Sequence, residues 1–277
     1  MISLERVKTG IPGFDELIEG GIPKGFNILL VGQPGTGKTI FGLQYLVNGA
    51  MNGENGIYVS LDSPNELVKA QARQFGWDVD ALEKEGKITF LKIPLDKPKI
   101  NLFDMLEEEI KAAHAERLVF DSLADFAINI DQFATPLAYT GLTPLWDVKE
   151  QATLEADKEY RYETMATLDQ DPKGRIFYKG HSEKRVAYLV VQELAKLGTT
   201  NMILTDAKDE EHANTVDGVS EYVCDGVVVV YNQLIGAKRV RTMTVLKMRS
   251  SDHSKYIHDF EITKEGIKVK PAEEVYK

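Results

Sequence analysis

Residues Gly32-Gln33-Pro34-Gly35-Thr36-Gly37-Lys38-Thr39 carry the spacing GxxxxGK[ST], a pattern built to hold phosphate. Glycines at these positions let successive backbone N–H groups turn inward around an anion, and a helix starting at the lysine aims its positive end at the same point. Lys38 then reaches the β- and γ-phosphates of a nucleoside triphosphate, Thr39 offers its hydroxyl to Mg2+, and Ile40 closes the nucleotide-binding run. A second partner for the ion is needed. Asp121 ends the apolar run Arg117-Leu118-Val119-Phe120-Asp121 and is the natural carboxylate for it. ATP and Mg2+ are the ligands this arrangement expects.

Holding a phosphate does not hydrolyse it, because a carboxylate or similar group must orient the attacking water near the γ-phosphate. Asp62 is the best candidate, standing just past the apolar strand that follows the loop helix. It could instead cap the helix opening near Pro64. Further along, Lys247 and Arg249 sit on alternate positions at the end of a strand in Leu246-Lys247-Met248-Arg249-Ser250-Ser251-Asp252-His253, so both point to one face. Two cations on one face suit a phosphate clamp, although lysine is also common on a solvated strand edge.

The elements that must position these residues follow from periodicity. The apolar run at 26–31 leads into the glycine-rich loop, and 38–51 carry apolar side chains at helical spacing. The same rhythm recurs with a strand at 57–61 and a helix opening at Ser63-Pro64-Asn65-Glu66, where a capping residue precedes proline. A strand at 88–92, a helix over 102–115 and a strand at 117–121 continue it. After about 126–181, an insertion with prolines at 136, 144 and 172 and a charged stretch at 148–163 that suits an exposed helix, the alternation resumes. A helix over 182–197 and a strand at 201–205 come next, followed by segments at 226–231, 239–248 and 256–262 that read as antiparallel strands. The expected fold is α/β, a P-loop domain with a mainly parallel central sheet flanked by helices and antiparallel C-terminal strands, one domain over 1–277 with the insertion at 126–181.

Composition narrows the function. With 277 residues, 43% hydrophobic and 27% charged, the chain can bury a substantial core. A formal net charge of -10 argues against a surface that coats nucleic acid, which needs clustered lysine and arginine. The single cysteine, Cys224, excludes an intramolecular disulfide and a cysteine-built metal cluster and reads as a small core residue. No run approaches the roughly 20 apolar residues of a membrane span, and the N-terminus lacks a leader pattern, so a cytoplasmic protein without a membrane partner is expected.

The residues also resemble the KaiC-like ATPases of the RecA superfamily. The resemblance is carried by Val7-Lys8-Thr9-Gly10-Ile11-Pro12-Gly13-Phe14-Asp15-Glu16-Leu17, by Gly20-Gly21-Ile22-Pro23-Lys24-Gly25 running into the loop, and by Tyr58-Val59-Ser60. Phe75-Gly76-Trp77-Asp78, Phe120-Asp121-Ser122-Leu123, Glu221 to Val227 and Lys247 to His253 followed by Phe260-Glu261-Ile262 complete it. It implies a homo-oligomeric ring, usually a hexamer, with ATP between neighbours, Lys247 and Arg249 reaching the adjacent subunit's γ-phosphate, and His253 near the nucleotide. A cation supplied across such an interface is worth about 10³-fold or more in phosphoryl transfer. Thr205 matches the family's polar sensor position.

Two departures stand out. The family usually has adjacent glutamates where this chain has Leu61-Asp62-Ser63-Pro64, which points to slow hydrolysis or to a nucleotide-binding scaffold without turnover. The insertion falls where RecA-type proteins carry a loop facing the channel, and it would offer a protein partner a surface. A DNA recombinase or helicase of the same superfamily is the alternative, disfavoured by the acidic balance and by an acid-rich insertion.

Overall fold

The structure is a computed structural model of the chain, and it describes residues 4–93, 102–128, 168–170, 176–178, 182–208, 215 and 218–270. Strand β1 (Arg6–Val7) pairs antiparallel with β2 (Ile22–Pro23), and a 3-10 turn at Asp15–Ile18 lies between them. The central sheet begins with β3 (Asn27–Gly32), which leads through the glycine loop into α1 (Lys38–Met51). Next come β4 (Gly56–Ser60), α2 (Asn65–Arg73), α3 (Val79–Lys84), β5 (Ile88–Lys92), α4 (Leu102–Ala113), β6 (Arg117–Asp121) and α5 (Leu123–Ile128). A small antiparallel pair, β7 (Leu168–Gln170) and β8 (Ile176–Tyr178), precedes α6 (Ser182–Lys196), β9 (Thr200–Asp206) and the one-turn α7 (Ser220–Val223). The chain closes on β10 (Gly226–Ile235), β11 (Lys238–Met248), β12 (His258–Thr263) and β13 (Gly266–Val269).

The nine-stranded sheet has the order β13-β12-β11-β10-β3-β9-β6-β4-β5. Its members from β10 through β5 run parallel, and β11, β12 and β13 add on antiparallel at one edge. Parallel strands with helices on both faces must bury both sides, and β3 does so residue by residue. Ile28 and Leu30 enter one apolar core with Phe41, Tyr45 and Leu46 of α1, while Leu29 and Val31 enter the other with Leu106 of α4, Phe126 of α5 and Leu194 of α6. Cys224 is buried in that second core, as a small apolar residue should be.

Several boundaries differ from the sequence reading for local reasons. Pro64 flanks α2 with an extended ψ of 142°, so the helix opens at Asn65 and no side chain caps it. Helix α4 stops at Ala113 because His114 takes a left-handed φ of 49°. Strand β10 runs on to Ile235, since Gly236, with φ 63°, makes the tight turn that returns β11 beside it, in register from Ile235 opposite Lys238 to Val228 opposite Val245, where the pairing shifts before Val227. Of the insertion expected at 126–181, the charged stretch at 148–163 lies outside the described residues.

One buried cation ties the sheet to the segment that opens the chain. Arg117, only 1% exposed at the start of β6, donates 2.8 Å bonds to Tyr45 O and Lys8 O, pairs with Glu54 and stacks over the Tyr45 ring at 4.5 Å. Gly49 is required beside it, because a Cβ there would lie 2.4 Å from Arg117 Nε.

Candidate phosphate-binding site

The parallel strands all end on one edge, and the loop lies there. Register sets Gly32 of β3 opposite Asp206 of β9, and Asp121 of β6 opposite Ser60 of β4. An open α/β sheet presents its ligand site at this carboxyl edge. In the loop, Gly35 has φ 79° and Gly37, the N-cap of α1, has φ 106°, conformations a side chain would resist. Gly32 is fixed by crowding instead, since a Cβ there would come within 2.6 Å of Val230 and 2.8 Å of Thr36 Oγ1. Thr36 turns its hydroxyl back to Gln33 O at 2.8 Å, which tightens the bend around Pro34. Ile40, partly buried, packs against the first core one residue past Thr39.

Lys38 and Thr39 open α1 and reach in different directions. Lys38 Nζ donates to Gly32 O at 2.6 Å, Gln33 O at 3.2 Å and Asp206 Oδ1 at 2.8 Å. Thr39 Oγ1 donates to Asp121 Oδ2 at 3.1 Å, which brings together, across 82 residues, the two groups expected from sequence to serve one ion. The buried phenol of Tyr58 donates to the same carboxylate oxygen. Burial pushes the Asp121 carboxyl up from its ordinary value, and the bonds from Tyr58 and Thr39 pull it back toward the ionised form. Burial likewise raises the Tyr58 phenol, followed by the charge of Asp121, so Tyr58 remains a donor.

Hard oxygen donors from a threonine and a carboxylate fit Mg2+, which takes few protein ligands and completes its shell with phosphate and water. Among the described residues no group of three or more histidine, cysteine, aspartate or glutamate side chains is placed to hold a metal ion.

Asp62 stands exposed just past β4, at the same edge, and does not cap α2. Its charge is felt by Lys92, whose ammonium donates to Leu61 O at 2.6 Å; burial lowers the Lys92 pKa, and the charge of Asp62 partly restores it.

Lys247 and Arg249 do share a face, and both grip the backbone of α7 and the residues just after it. Lys247 donates to the carbonyls of Glu221, Tyr222 and Cys224, the last at 2.6 Å, while Arg249 reaches Tyr222 O at 3.0 Å and Asp225 Oδ1 at 3.0 Å. Burial lowers the Lys247 pKa, with Arg249 adding to the effect. The two cations sit at the opposite end of the sheet from the loop: Lys247 pairs with Val227, and Asp225 accepts from the backbone of Asn27 at the start of β3. From Asn27 to Gly32 is five steps at about 3.3 Å, roughly 16 Å along the strand. The segment carrying His253 packs on the opening of the chain, where Ser254 N bonds Leu17 O at 2.8 Å and Arg6 bonds Ser251 Oγ at 2.9 Å.

Sequence reasoning missed two members of the site. Tyr58 lay inside an apolar strand with nothing to mark its hydroxyl, and Asp206 followed directly on Thr205, the position singled out. Thr205 is buried opposite Val31, and the next residue is the one that turns to Lys38. A polar residue closing a parallel strand next to the loop strand was the available signal.

A glycine loop between the central strand and its helix, a lysine and threonine on that helix, and a carboxylate from the next strand but one together define a P-loop nucleotide-binding domain of RecA type. The family model described as the KaiC ATPase matches residues 7–135 and 181–274, and the chain belongs to this family. The two matched segments flank most of the expected insertion. The chain is 32% identical to a UPF0273 protein of Aeropyrum pernix over 97% of this chain and 94% of that one, and 32% identical to a UPF0273 protein of Thermotoga maritima over 98% of each. It is 29% identical to the circadian clock oscillator protein KaiC of Nostoc over 97% of its own length, but spans 44% of that relative. Among solved structures, a KaiC-like protein of the archaeon Pyrococcus horikoshii superposes with a TM-score of 0.73 at 30% identity, covering 97% of this chain and all of that one.

Proposed function

We propose that the chain binds ATP with Mg2+ at the loop Gly32–Thr39 and hydrolyses it slowly to ADP and phosphate. The observation that carries this is that Lys38 and Thr39 open α1 at the carboxyl edge of the sheet, with Thr39 bonded to Asp121 and Lys38 to the strand end at Asp206. Gly32 through Gly37 wrap the phosphates with backbone N–H groups, Lys38 serves the β- and γ-phosphates, and Ile40 continues the helix terminus behind them. Thr39 and Asp121 would hold Mg2+, which when bound neutralises charge on the β- and γ-oxygens. Asp62 orients the attacking water, and its short, exposed side chain fixes that water poorly, which supports slow turnover. Lys38→Ala tests the reading: measurable ATP binding and phosphate release by the wild type should both vanish, and a variant that binds ATP as well as wild type would refute it.

The site is completed by a neighbour. Lys247 and Arg249 lie too far from their own loop to serve it, so they act, with His253 near the nucleotide by resemblance, on the loop of the next subunit in a ring, hexameric by resemblance. Nucleotide state then governs assembly or the engagement of a protein partner through the 126–181 region, in the cytoplasm. Among the described residues no helix is long and apolar enough to cross a membrane. Mixing Arg249→Ala with Lys38→Ala subunits tests the sharing: partial recovery of phosphate release supports it, and two inactive proteins that stay inactive together argue for cis chemistry.

A further inference from the structure

We propose that Asp206 is a competing anion at the phosphate loop, one that sets nucleotide affinity and disfavours a triphosphate relative to a diphosphate. The inference rests on the ATP-binding reading above and names the residue of this chain that tunes it.

An ammonium group has three N–H donors, and Lys38 directs all three to protein. Two go to the loop's own backbone, Gly32 O at 2.6 Å and Gln33 O at 3.2 Å, and follow from how the loop folds. The third goes to a charged group on another strand, Asp206 Oδ1 at 2.8 Å. The Lys38 side chain is 11% exposed and that of Asp206 44%, so the carboxylate stands at the outer side of the pair.

Asp206 is held in place by main-chain ties. It pairs in register with Gly32, the next residue donates Ala207 N to Gly32 O at 3.3 Å, and Gln33 Nε2 reaches back to Ala207 O at 3.5 Å. The end of β9 is thereby fastened to the first two residues of the loop. Its side chain can turn, but its backbone stays beside the phosphates.

A phosphate that takes a donor from Lys38 takes it from Asp206 and brings negative charge next to a carboxylate. The repulsion grows with the charge of the ligand, and a triphosphate carries about one more negative charge than a diphosphate. Asp121 at the same edge faces Thr39 and the metal position, whereas Asp206 faces the lysine. Triphosphate binding therefore loses more to Asp206 than diphosphate binding does. The partial exposure of Asp206 limits the effect and makes it salt-dependent.

Asp206→Asn keeps an acceptor oxygen for Lys38 and removes the charge. Titration calorimetry of the full chain with Mg-ATP and Mg-ADP at low salt should show ATP binding tightened roughly tenfold and ADP binding by about two- to threefold, with both gains shrinking at high salt. Asp206→Ala, which removes the acceptor as well, should give the same order of gains and covers the case in which the asparagine variant does not fold. Unchanged or weaker ATP binding in a folded variant, or equal gains for the two nucleotides, overturns the proposal while leaving the ATP-binding reading intact. Absence of binding by wild type and variants alike overturns both.

Discussion

Replacing Tyr58 with phenylalanine removes one oxygen from the core and isolates what that oxygen does. The Tyr58 ring is fully buried in β4, 6.0 Å from the Phe90 ring, and phenylalanine retains that packing. The change deletes one donor to Asp121 Oδ2 and leaves Thr39 Oγ1, at 3.1 Å, on the same oxygen. A hydrogen bond to a charged acceptor contributes about 1.5–3 kcal/mol. Because Asp121 is itself pushed toward its neutral form by burial, the lost bond weakens both the native state and the aim of the carboxylate. If about half of it is felt at the metal position, roughly 1 kcal/mol, the Mg2+ concentration for half-maximal nucleotide binding rises about fivefold. Unfolding free energy falls by a similar amount, about 1 kcal/mol. A fluorescent ATP analogue titrated with Mg2+ reads the first quantity, and urea unfolding the second. The control is binding in EDTA, which should match wild type. An unchanged Mg2+ requirement refutes the role given to Tyr58, and a loss of binding that persists in EDTA shows that the hydroxyl shapes the loop instead.

Asp62→Asn should lower phosphate release by about tenfold or more while leaving ATP affinity near wild type; equal rates remove Asp62 from the water-orienting role. Arg117→Met should destabilise the fold by about 3–5 kcal/mol, since it strands Glu54 and leaves Tyr45 O and Lys8 O without their donor. Chemical denaturation measures this, and a loss below about 1 kcal/mol would show that water replaces the guanidinium without cost. Acid stability depends on surface pairs. Bonds from Lys69 and Arg73 hold Glu66 below the usual carboxylate range, and Arg73 does the same for Asp80. A folded pKa below the unfolded one gives stability that is full above the ordinary carboxylate value and lost as pH falls through the folded one. Arg73→Ala should thus raise the pH of acid unfolding, followed by circular dichroism, and an unmoved midpoint would mean that solvent screens these pairs entirely.

Much of the site was legible because its information is local. Seven residues from Gly32 to Lys38 carry the loop in their types and spacing, and Asp121 announces itself as the acid closing an apolar strand. The alternation of β3, α1, β4 and α2 is equally local, so the parallel sheet followed from it. Strand and helix ends were less legible. Pro64, His114 and Gly236 set three of them through single backbone angles that residue type constrains only weakly.

Sequence alone thus picked out Gly32–Thr39 as a phosphate-loop pattern and named Thr39 and Asp121 for one ion, because a loop and a strand end need only their own residues to be recognised. Tertiary structure decided which other groups meet there. Asp206 reaches Lys38 from 168 residues away, and Tyr58 reaches Asp121 from 63. Both contacts exist because β9 and β4 take particular places and registers in the sheet. The same register put Lys247 and Arg249 at the far end of the sheet from their own loop. Side-chain alternation could tell that those two cations share a face, but only strand pairing across the whole domain could tell at which end of it they stand.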